Sequence, residues 1–311
     1  MAALKELWVE KYRPKTIDDY VWMDDNQKHQ VEQWIADRYI PHLLLSGSAG
    51  VGKTTLAKIL VEALDIEPMD FLHINASRDN GVEFIKNKIT GFGQTSPFGD
   101  FKVVLLDEAD YLSLNAQATL RGIMEEYASV LRIIITCNYP NKIMPAIHSR
   151  TQGFHFKLLD EEQFMRNLAQ ILVKENIEFD IGIFESFVKA SYPDMRKAIN
   201  SLQQHSTTGT LTLAAEGGAE RDYRLEMVAL FREKRYRDAR ELAIKQIAGD
   251  EYEDMFRFLY RNLEFWGATP EQQDSALLVI RQGIVNHGMV SDPEINLAAT
   301  MIELERVAAS V

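Results

Sequence analysis

The chain has 311 residues, of which 46% are hydrophobic and 26% are charged, and this is enough apolar material for two or three domains with ordinary cores. Its net charge of −12, from 34 basic and 46 acidic residues, argues against a protein that coats nucleic acid with its whole surface, although a local basic stripe remains possible. No apolar run is long enough to span a bilayer and the first residues lack a signal-peptide core, so we expect a cytoplasmic protein with no membrane partner.

Strand-like and helical segments alternate through the first half of the chain. The strand-like runs cover residues 43–46, 71–75, 103–107 and 133–137, and the helical stretches cover residues 27–38, 53–64, 82–89 and 115–127. This alternation predicts a parallel α/β sheet with helices on both faces. In such a sheet a nucleotide binds at the carboxyl ends of the strands.

A glycine-rich segment separates the first strand from a helix and fits the pattern G-x-x-x-x-G-K-[ST] of a phosphate-binding loop. Lys53 can reach the β- and γ-phosphates, and the Thr54 hydroxyl can hold Mg²⁺. The alternative is a glycine-rich turn that carries a lysine by chance, but the flanking strand and helix favour binding of a nucleoside triphosphate. The residues expected to contact the nucleotide are Gly47, Ser48, Ala49, Gly50, Val51, Gly52, Lys53, Thr54 and Thr55.

An apolar strand that ends in acids follows further along the chain, as Val103-Val104-Leu105-Leu106-Asp107-Glu108-Ala109-Asp110. Asp107 is placed to position Mg²⁺ through its water shell, and Glu108 is placed to polarise a water for attack on the γ-phosphate. Alone, this segment would fit a buried strand with an ordinary acidic turn. Combined with the phosphate loop, it predicts hydrolysis of a nucleoside triphosphate rather than transfer of its phosphoryl group.

From about residue 159 onwards the pattern contains helices only, with apolar positions at helical spacing. We predict a nucleotide-binding α/β domain at residues 1–155, a helical lid at 156–207, a linker at 208–220 and a helical domain at 221–311. The aromatic residues of the last domain are spaced as a helix core, which favours packing or assembly over a second active site.

Several motifs in the first 205 residues together are similar to one family. The segment Trp8-Val9-Glu10-Lys11-Tyr12-Arg13-Pro14 is very similar to the signature that opens the small subunits of replication factor C, the sliding-clamp loaders. Further matching motifs occur in the same order, and the Tyr-Pro-Asp opening of the last one resembles the large clamp-loader subunit of T4-like bacteriophages. These motifs are Asp107-Glu108-Ala109-Asp110 with Gln117 and Leu120-Arg121, Ile135-Thr136-Cys137-Asn138-Tyr139, Ser149-Arg150, and Tyr192-Pro193-Asp194-Met195-Arg196-Lys197-Ala198-Ile199.

The resemblance implies an AAA+ ATPase in which a P-loop sheet and a helical lid precede an all-α collar domain used for oligomerisation. Such a subunit assembles in a five-membered spiral, here with copies of itself and a smaller subunit. It grips a ring-shaped sliding clamp when ATP and Mg²⁺ are bound, and it releases the clamp onto primer-template DNA of any sequence after hydrolysis. A phage-encoded protein would act in the host cytoplasm.

The resemblance also implies roles for individual residues. Asn138 resembles sensor-1, which contacts the γ-phosphate or the attacking water, and Arg196 resembles sensor-2. Arg150 resembles the arginine finger that reaches the ATP of a neighbouring subunit. Without the family match, Asn138 would fit a turn residue at the end of a strand, and Arg150 would fit a solvated surface charge. The residues that resemble walls of the adenine pocket are Glu10, Tyr12, Arg13 and Pro14, together with Pro41 and His42.

Contacts with DNA are implied for three basic residues. In the family, helices that correspond to those of Lys86, Lys88 and Arg121 face the DNA axis and contact phosphates. The alternative is that these residues are solvated charges on amphipathic helices. Arg78 is the local candidate for a basic residue that pairs with Glu108 until DNA arrives.

A turn-rich loop with three phenylalanines is expected at residues 90–101. Exposed aromatic side chains on a loop are candidates for insertion into a partner, which the resemblance identifies as the clamp. The alternative is that Phe92, Phe98 and Phe101 pack under their own domain.

Three other functions compete with a clamp-loader ATPase. Another AAA+ machine, such as a branch-migration helicase or a protein remodeller, would be expected to carry a pore loop or a substrate domain, and none is evident. A non-catalytic assembly subunit would bind ATP only for structure, and the intact set of Lys53, Thr54, Asp107, Glu108 and Arg150 argues against it. A small-molecule P-loop kinase is disfavoured because the helical last third offers no acceptor site.

Overall fold

A computed structural model describes residues 6–22, 24–158, 160–213, 223–247 and 251–309. The chain divides into two compact units. The first comprises Met1–Gln163 together with Pro193–Arg196, and the second comprises Phe164–Tyr192 together with Lys197–Val311. The short segment that opens the predicted lid motif therefore packs with the nucleotide-binding unit.

The first unit is built on a sheet of five parallel strands in the spatial order β2-β3-β4-β1-β5. The strands are β1 (Leu43–Gly47), β2 (Phe71–Asn75), β3 (Lys102–Asp107), β4 (Leu131–Cys137) and β5 (Gln152–Phe156). The first four confirm the strands that the apolar runs predict. Because all the strands are parallel, the carboxyl ends of β1, β3 and β4 meet at one edge of the sheet.

The sequence pattern does not predict β5, and its composition gives the reason. Burial alternates along this strand: Phe154 and Phe156 are buried, whereas Gly153 and His155 are exposed. This strand lies at the edge of the sheet beside β1. An alternating edge strand of five residues contains no continuous apolar run, so it is easily missed.

Helices cover both faces of this sheet. Since successive side chains of a strand point to opposite faces, Leu44 shares a buried cluster with Ile85 and Leu120, whereas Leu45 shares another with Leu56. The α/β fold with helices on both faces is therefore confirmed. The helices of this unit among the described residues are α1 (Trp8–Lys11), α2 (Asp25–Ala36), α3 (Lys53–Ala63), α4 (Val82–Gly93), α5 (Leu114–Glu126) and α6 (Pro145–His148).

The second unit contains helices and no named strand in its described part, apart from one isolated bridge between Glu178 and Thr210. This confirms the predicted change from mixed to helical structure. Its helices are α7 (Glu161–Lys174), which begins just before the unit boundary, α8 (Ile181–Ser191), α9 (Met195–Gln204), α10 (Tyr223–Arg232), α11 (Tyr236–Gln246), α12 (Tyr252–Arg261), α13 (Pro270–His287) and α14 (Pro293–Ala309). Within the described ranges, no helix combines the length and the apolar composition needed to cross a membrane.

Ion pairs join the predicted lid to the predicted collar within this unit. Nζ of Lys189 in α8 lies 2.5 Å from Oε1 of Glu264. Nη2 of Arg232 in α10 lies 3.1 Å from Oε2 of Glu185 in α8. The domain boundaries at residues 207 and 221 stay predictions, since both fall inside the second unit. Most of the predicted linker at 208–220 lies outside the described residues, which resume at residue 223.

The aromatic residues of the last domain pack in its core, as their spacing predicts. Trp266 is fully buried, and its ring meets Phe231 edge-on with centroids 4.9 Å apart. Tyr252 and Phe256 are also buried, whereas Tyr260 is half exposed. This part of the chain therefore has its own hydrophobic core.

Candidate active site

The phosphate loop leaves the sheet at the carboxyl end of β1 and leads directly into α3. Gly50 and Gly52 have φ values of 74° and 93°, which lie in the left-handed region that favours glycine. A Cβ on Gly47 would lie 2.7 Å from the carbonyl oxygen of Phe156, so the close approach of β5 also requires glycine. The N-terminus of α3, with its partial positive charge, therefore opens directly onto the loop, as an anion site requires.

Tyr20 supports this loop from a distant part of the sequence. Its buried hydroxyl donates to the carbonyl oxygen of Gly52 at 3.4 Å, and its ring packs edge-on against Trp22. Burial raises the pKa of Tyr20 well above its usual value, so the side chain stays a neutral donor. Sequence reasoning missed Tyr20, because no local pattern connects it to a glycine 32 residues away.

The ammonium group of Lys53 is buried, with only 8% of the residue exposed. Its Nζ donates to the carbonyl oxygens of Gly47 at 2.8 Å and Ser48 at 2.7 Å. A third bond, at 2.8 Å, goes to Oδ1 of Asn138 at the end of β4. All three ammonium hydrogens thus have oxygen acceptors, and the lysine and the predicted sensor-1 residue share one site.

Charges around Lys53 affect its protonation in opposite directions. Burial lowers the pKa of Lys53, and the positive charge of Arg196 lowers it further, whereas Asp110 and Asp107 raise it. Asp110 is itself buried and accepts a long hydrogen bond from the Asn138 backbone at 3.3 Å. The charge of Arg196 therefore acts on Lys53, and the role of Arg196 as sensor-2 stays a prediction.

Asp107 and Thr54 meet as the sequence predicts. The Thr54 hydroxyl donates to Oδ1 of Asp107 at 2.9 Å, and the same oxygen accepts a short hydrogen bond from the Thr136 hydroxyl. Nε2 of His73 lies 3.7 Å from the other carboxylate oxygen. Burial alone would raise the pKa of Asp107, but His73 and the two hydroxyls outweigh it and hold the pKa below its usual value.

Glu108 follows at the carboxyl end of β3 in a left-handed conformation, with φ 58° and ψ 42°. A residue with a Cβ is strained there by about 1–2 kcal/mol. The backbone N–H of Glu108 donates to the Thr136 hydroxyl at 3.0 Å, which helps to hold this conformation. Thr136 was not assigned a role from the sequence, although a single polar residue in the run Ile133-Ile134-Ile135-Thr136 is a detectable signal.

Asp194 is a further residue of this site, and the motif that contains it gives it no role from the sequence. An added Cβ on Gly50 would overlap the Asp194 carboxylate, so the carboxylate packs directly against the phosphate loop. Its segment, Pro193–Arg196, belongs to the same compact unit as the loop. Glycine at position 50 therefore serves both the backbone conformation and this contact.

Arg150 is held by a different part of the chain. It lies just after α6, and its Nε donates to Oε1 of Glu125 at 2.8 Å. Its Nη1 donates to the Ala146 carbonyl oxygen at 2.8 Å and to the Ser149 hydroxyl at 3.2 Å. None of these contacts involves Lys53, Asp107 or Asn138, and the role of Arg150 as a finger stays a prediction.

The residues of the predicted adenine pocket lie in two places in the fold. Arg13 forms an ion pair with Glu10 at 2.9 Å, and both lie with Tyr12 and Pro14 around α1; their contact with adenine stays a prediction. His42 has another role, because its Nδ1 accepts the Ile133 N–H at 3.0 Å. It lies at the amino end of β1, opposite the phosphate loop, so its assignment to the pocket is not supported.

The environment of His42 explains why it is a structural acceptor. Burial, helped by the charge of Arg132, lowers the pKa of His42 to about 4. The ring is therefore neutral near pH 7 and can accept a backbone hydrogen bond.

The predicted DNA-contacting lysines do not form one patch. Ile85 and Ile89 turn α4 towards the core, and Lys86 and Lys88 are both exposed. Residues two apart on a helix point about 200° away from each other, so these lysines flank the buried stripe on opposite sides. Arg121 is exposed on α5, and all three DNA contacts stay predictions.

The predicted phenylalanine loop is shorter than expected. Phe92 lies within α4 and packs against the core, and Phe101 is buried in the second cluster. Phe98 alone of the three is prominently exposed, at 75%. The backbone N–H of Phe98 donates to Oδ2 of the buried Asp70 at 2.7 Å, and that of Gly99 donates to the same oxygen at 2.8 Å. These two hydrogen bonds fix the loop that carries Phe98.

Comparison with known proteins agrees with this geometry. The model of the ATPase family associated with various cellular activities (AAA) matches residues 43–158. The replication factor C small subunit of Sulfurisphaera tokodaii is 38% identical, over 96% of this chain and 94% of that protein. The replication factor C small subunit of Methanococcus maripaludis is 43% identical over 204 residues, which are 64% of each protein, so this second match spans just under two thirds of the relative.

Solved structures of AAA-type motors share the fold. The Thermotoga maritima RuvB Holliday junction branch migration motor superposes with a TM-score of 0.55 and 16% identity, over 77% of this chain and 87% of that one. A point variant of the same RuvB protein gives a TM-score of 0.56 and 14% identity, over 94% of this chain and 90% of that one. Identities this low support a shared fold and carry no argument about activity.

The parallel sheet, the phosphate loop and the paired acids at the end of β3 define an AAA-class enzyme that binds and hydrolyses ATP. Within that class, the chain belongs to the replication factor C small subunit family. The resemblance in the first 205 residues is thereby confirmed and extends over nearly the whole chain. The likeness to a phage subunit stays a prediction.

We expect Gly50→Ala to weaken ATP binding. The new methyl group would overlap the Asp194 carboxylate, and alanine would be strained at a φ of 74°. Strain of about 1–3 kcal/mol corresponds to a loss of roughly five-fold or more in affinity. Equilibrium titration with a fluorescent ATP analogue measures this loss.

The double variant Gly50→Ala/Asp194→Ala serves as the control. It removes the overlap but keeps the backbone strain, so it should regain part of the lost affinity. Equal affinities of the single and the double variants would show that Asp194 is not the obstacle.

Proposed function

We propose that this chain is an ATPase subunit of a DNA polymerase sliding-clamp loader, which opens the clamp and loads it onto primer-template DNA. One observation carries the proposal: at one sheet edge Lys53 bonds to Asn138, and the adjacent Thr54 bonds to Asp107, an arrangement that fits ATP hydrolysis. The chain that contains it is related to replication factor C small subunits over nearly its whole length. A non-hydrolysing assembly subunit would have no use for this connected set.

Each residue of the site has a separate task in this proposal. Lys53 neutralises charge on the β- and γ-phosphates, while the N–H groups of residues 47–55 surround them. Glu108 polarises the attacking water, and Asn138 orients it. Arg196 contacts the γ-phosphate from the segment that packs on the loop. Glu10, Tyr12, Arg13 and Pro14 enclose the adenine.

The site also fits a magnesium ion. The Thr54 hydroxyl and the Asp107 carboxylate lie 2.9 Å apart and are oxygen ligands, which Mg²⁺ prefers. This ion keeps several of its waters in nucleotide sites, so two protein groups are enough to hold it. When bound, it would neutralise phosphate charge during hydrolysis.

Assembly into a ring of subunits, which we propose to have five members, is supported by an exposed apolar face on α13. Leu277, Leu278, Ile284 and Val285 are all exposed. Pairs seven residues apart lie two turns apart on the same side of a helix. We propose that this face of the collar, residues 221–311, packs against neighbouring subunits and that Arg150 then reaches the ATP of one neighbour.

Two further contacts complete the proposal. Phe98, exposed on a loop that Asp70 anchors, is the proposed contact with the sliding clamp, since a fixed aromatic side chain binds a partner at a low entropic cost.

Lys86 is the proposed DNA contact. With a net charge of −12, any binding of DNA must depend on a few cations on one side of the subunit.

A branch-migration motor is the second candidate, because the contacts of Lys53 with Asn138 and of Thr54 with Asp107 would serve another AAA+ machine equally well. The two functions predict different activators of ATP hydrolysis. A clamp-loader subunit, in its assembly, should respond most to a clamp together with primer-template DNA. A branch-migration motor should respond most to a four-way junction without a clamp.

Glu108→Gln is expected to bind ATP as the parent does and to lose most turnover. The amide keeps the side-chain volume but cannot polarise water as a carboxylate does, and loss of such a base costs about 10²–10⁴ in rate. Phosphate release with clamp and DNA present measures the effect. Glu126→Gln, which makes the same charge change at the exposed end of α5, is the control, and equal rates for both variants would remove Glu108 from the mechanism.

Lys86→Ala is expected to weaken binding to duplexes of every sequence and to lower the salt slope by about one charge. Lys88→Ala tests which side of α4 faces DNA, because the two lysines point in opposite directions. We expect it to change affinity much less. Fluorescence anisotropy at several salt concentrations measures both slopes. If neither variant changes the slope, then α4 does not face DNA.

Mixing two inactive variants tests whether Arg150 acts in trans. Arg150→Ala subunits keep a complete nucleotide site, and Lys53→Ala subunits keep the finger. A mixture should therefore form some interfaces with both, and its phosphate release should exceed the sum of the separate rates, since such a finger is worth on the order of 10³–10⁵ in kcat in other enzymes. A rate equal to that sum, in mixtures with demonstrated subunit exchange, would exclude action across an interface between two copies of this chain.

A further inference from the structure

The guanidinium of Arg150 directs most of its donors at its own chain. An arginine has five N–H donors in a planar fork. Here Nε and Nη2 both donate to Oε1 of Glu125, and Nη1 donates to the Ala146 carbonyl oxygen and the Ser149 hydroxyl. Four donor contacts thus fix the side chain in one orientation.

Glu125 binds the edge of the Arg150 guanidinium through which arginine also binds a phosphoryl group. Arginine binds carboxylates and phosphates through two parallel N–H groups on one edge of the guanidinium. In this structure Nε and Nη2 form such an edge, and Glu125 accepts from both. Arg150 therefore cannot present this edge to a phosphate while it keeps the bond to Glu125.

The position of Glu125 is unfavourable without this partner. It lies in the last turn of α5, which has acids and no basic residue, where the negative end of the helix dipole disfavours a carboxylate. Pairing with Arg150 offsets that repulsion. The Glu125 side chain is 54% exposed and the Arg150 side chain is 34% exposed, so water and salt weaken the ion pair. A more highly charged phosphate can therefore displace the carboxylate.

We propose that Glu125 is the intrachain partner that Arg150 exchanges for the γ-phosphate of a neighbouring subunit. The carboxylate occupies the finger before ATP fills the adjoining site, and the γ-phosphate takes its place afterwards. Glu125 thus lowers the apparent affinity of that interface for ATP. The inference rests on the proposed role of Arg150 as a finger acting in trans.

The test compares Glu125→Gln with Glu126→Gln in the assembled complex with clamp and primer-template DNA. Both variants remove one negative charge from the end of α5, but Glu125 alone pairs with Arg150 in the described contacts. We expect Glu125→Gln to lower KM for ATP, and Kd for a non-hydrolysable ATP analogue, by about two- to five-fold, as for loss of an exposed ion pair. The kcat should stay within about two-fold of the parent.

Placing the same substitution in an Arg150→Ala background identifies the route of the effect. There Glu125→Gln should change neither KM nor Kd, because no finger remains to be released. A fall in kcat with unchanged KM would overturn the exchange and show that Glu125 positions the finger for catalysis. An effect equal to that of Glu126→Gln, or one that persists without Arg150, would also overturn it.

The parent Arg150→Ala variant separates this inference from the proposed function. If that variant keeps the parent kcat, then Arg150 is not a finger, and the part of the proposed function that gives it this role is at fault. If it loses kcat while Glu125→Gln leaves KM and Kd unchanged, then only the exchange fails.

Discussion

The site depends on the buried ammonium group of Lys53. A charge with 8% exposure is tolerated only when its donors are satisfied, and here the acceptors come from two segments, the end of β1 and the end of β4. The parallel pairing of Leu43 with Ile134 sets the distance between those ends. A shift of this register would leave a buried charge without a partner, at a cost of several kcal/mol, so the sheet and the phosphate loop constrain each other.

The hydrolytic residues are linked to that centre through β3. Oδ1 of Asp107 accepts from Thr54 on α3 and from Thr136 on β4, and the Thr136 hydroxyl also accepts the Glu108 N–H. The Thr136 hydroxyl therefore connects the carboxylate of Asp107, which we expect to bind Mg²⁺, to the backbone of Glu108, which we expect to polarise water. Because Glu108 is strained at a φ of 58°, its orientation depends on these hydrogen bonds, and a shift in β4 would alter it.

The sequence predicts those parts of the molecule that have a local signal. Continuous apolar runs identify β1 to β4, and the rule that parallel strands end at one edge brings Lys53, Asp107 and Asn138 together before any distance is known. Contacts between distant segments have no such signal. Tyr20 touches a loop 32 residues away, and Glu125 pairs with an arginine 25 residues away. The assignment of His42 to the adenine pocket is not supported for a related reason, since a motif gives a residue's neighbours in the chain but not the end of the strand at which it lies.

Charge limits how such subunits can associate. Each copy carries a net charge of −12, so copies repel one another at long range, but at physiological ionic strength this repulsion is screened beyond about 8 Å. Contacts at the interface therefore decide assembly, and the exposed leucines, isoleucine and valine of α13 provide apolar area for it. Arg150 adds a positive charge beside a neighbour's phosphates in the proposed assembly. Binding of ATP would then strengthen the same interface that hydrolysis later weakens, because loss of the γ-phosphate removes the anion that the finger holds.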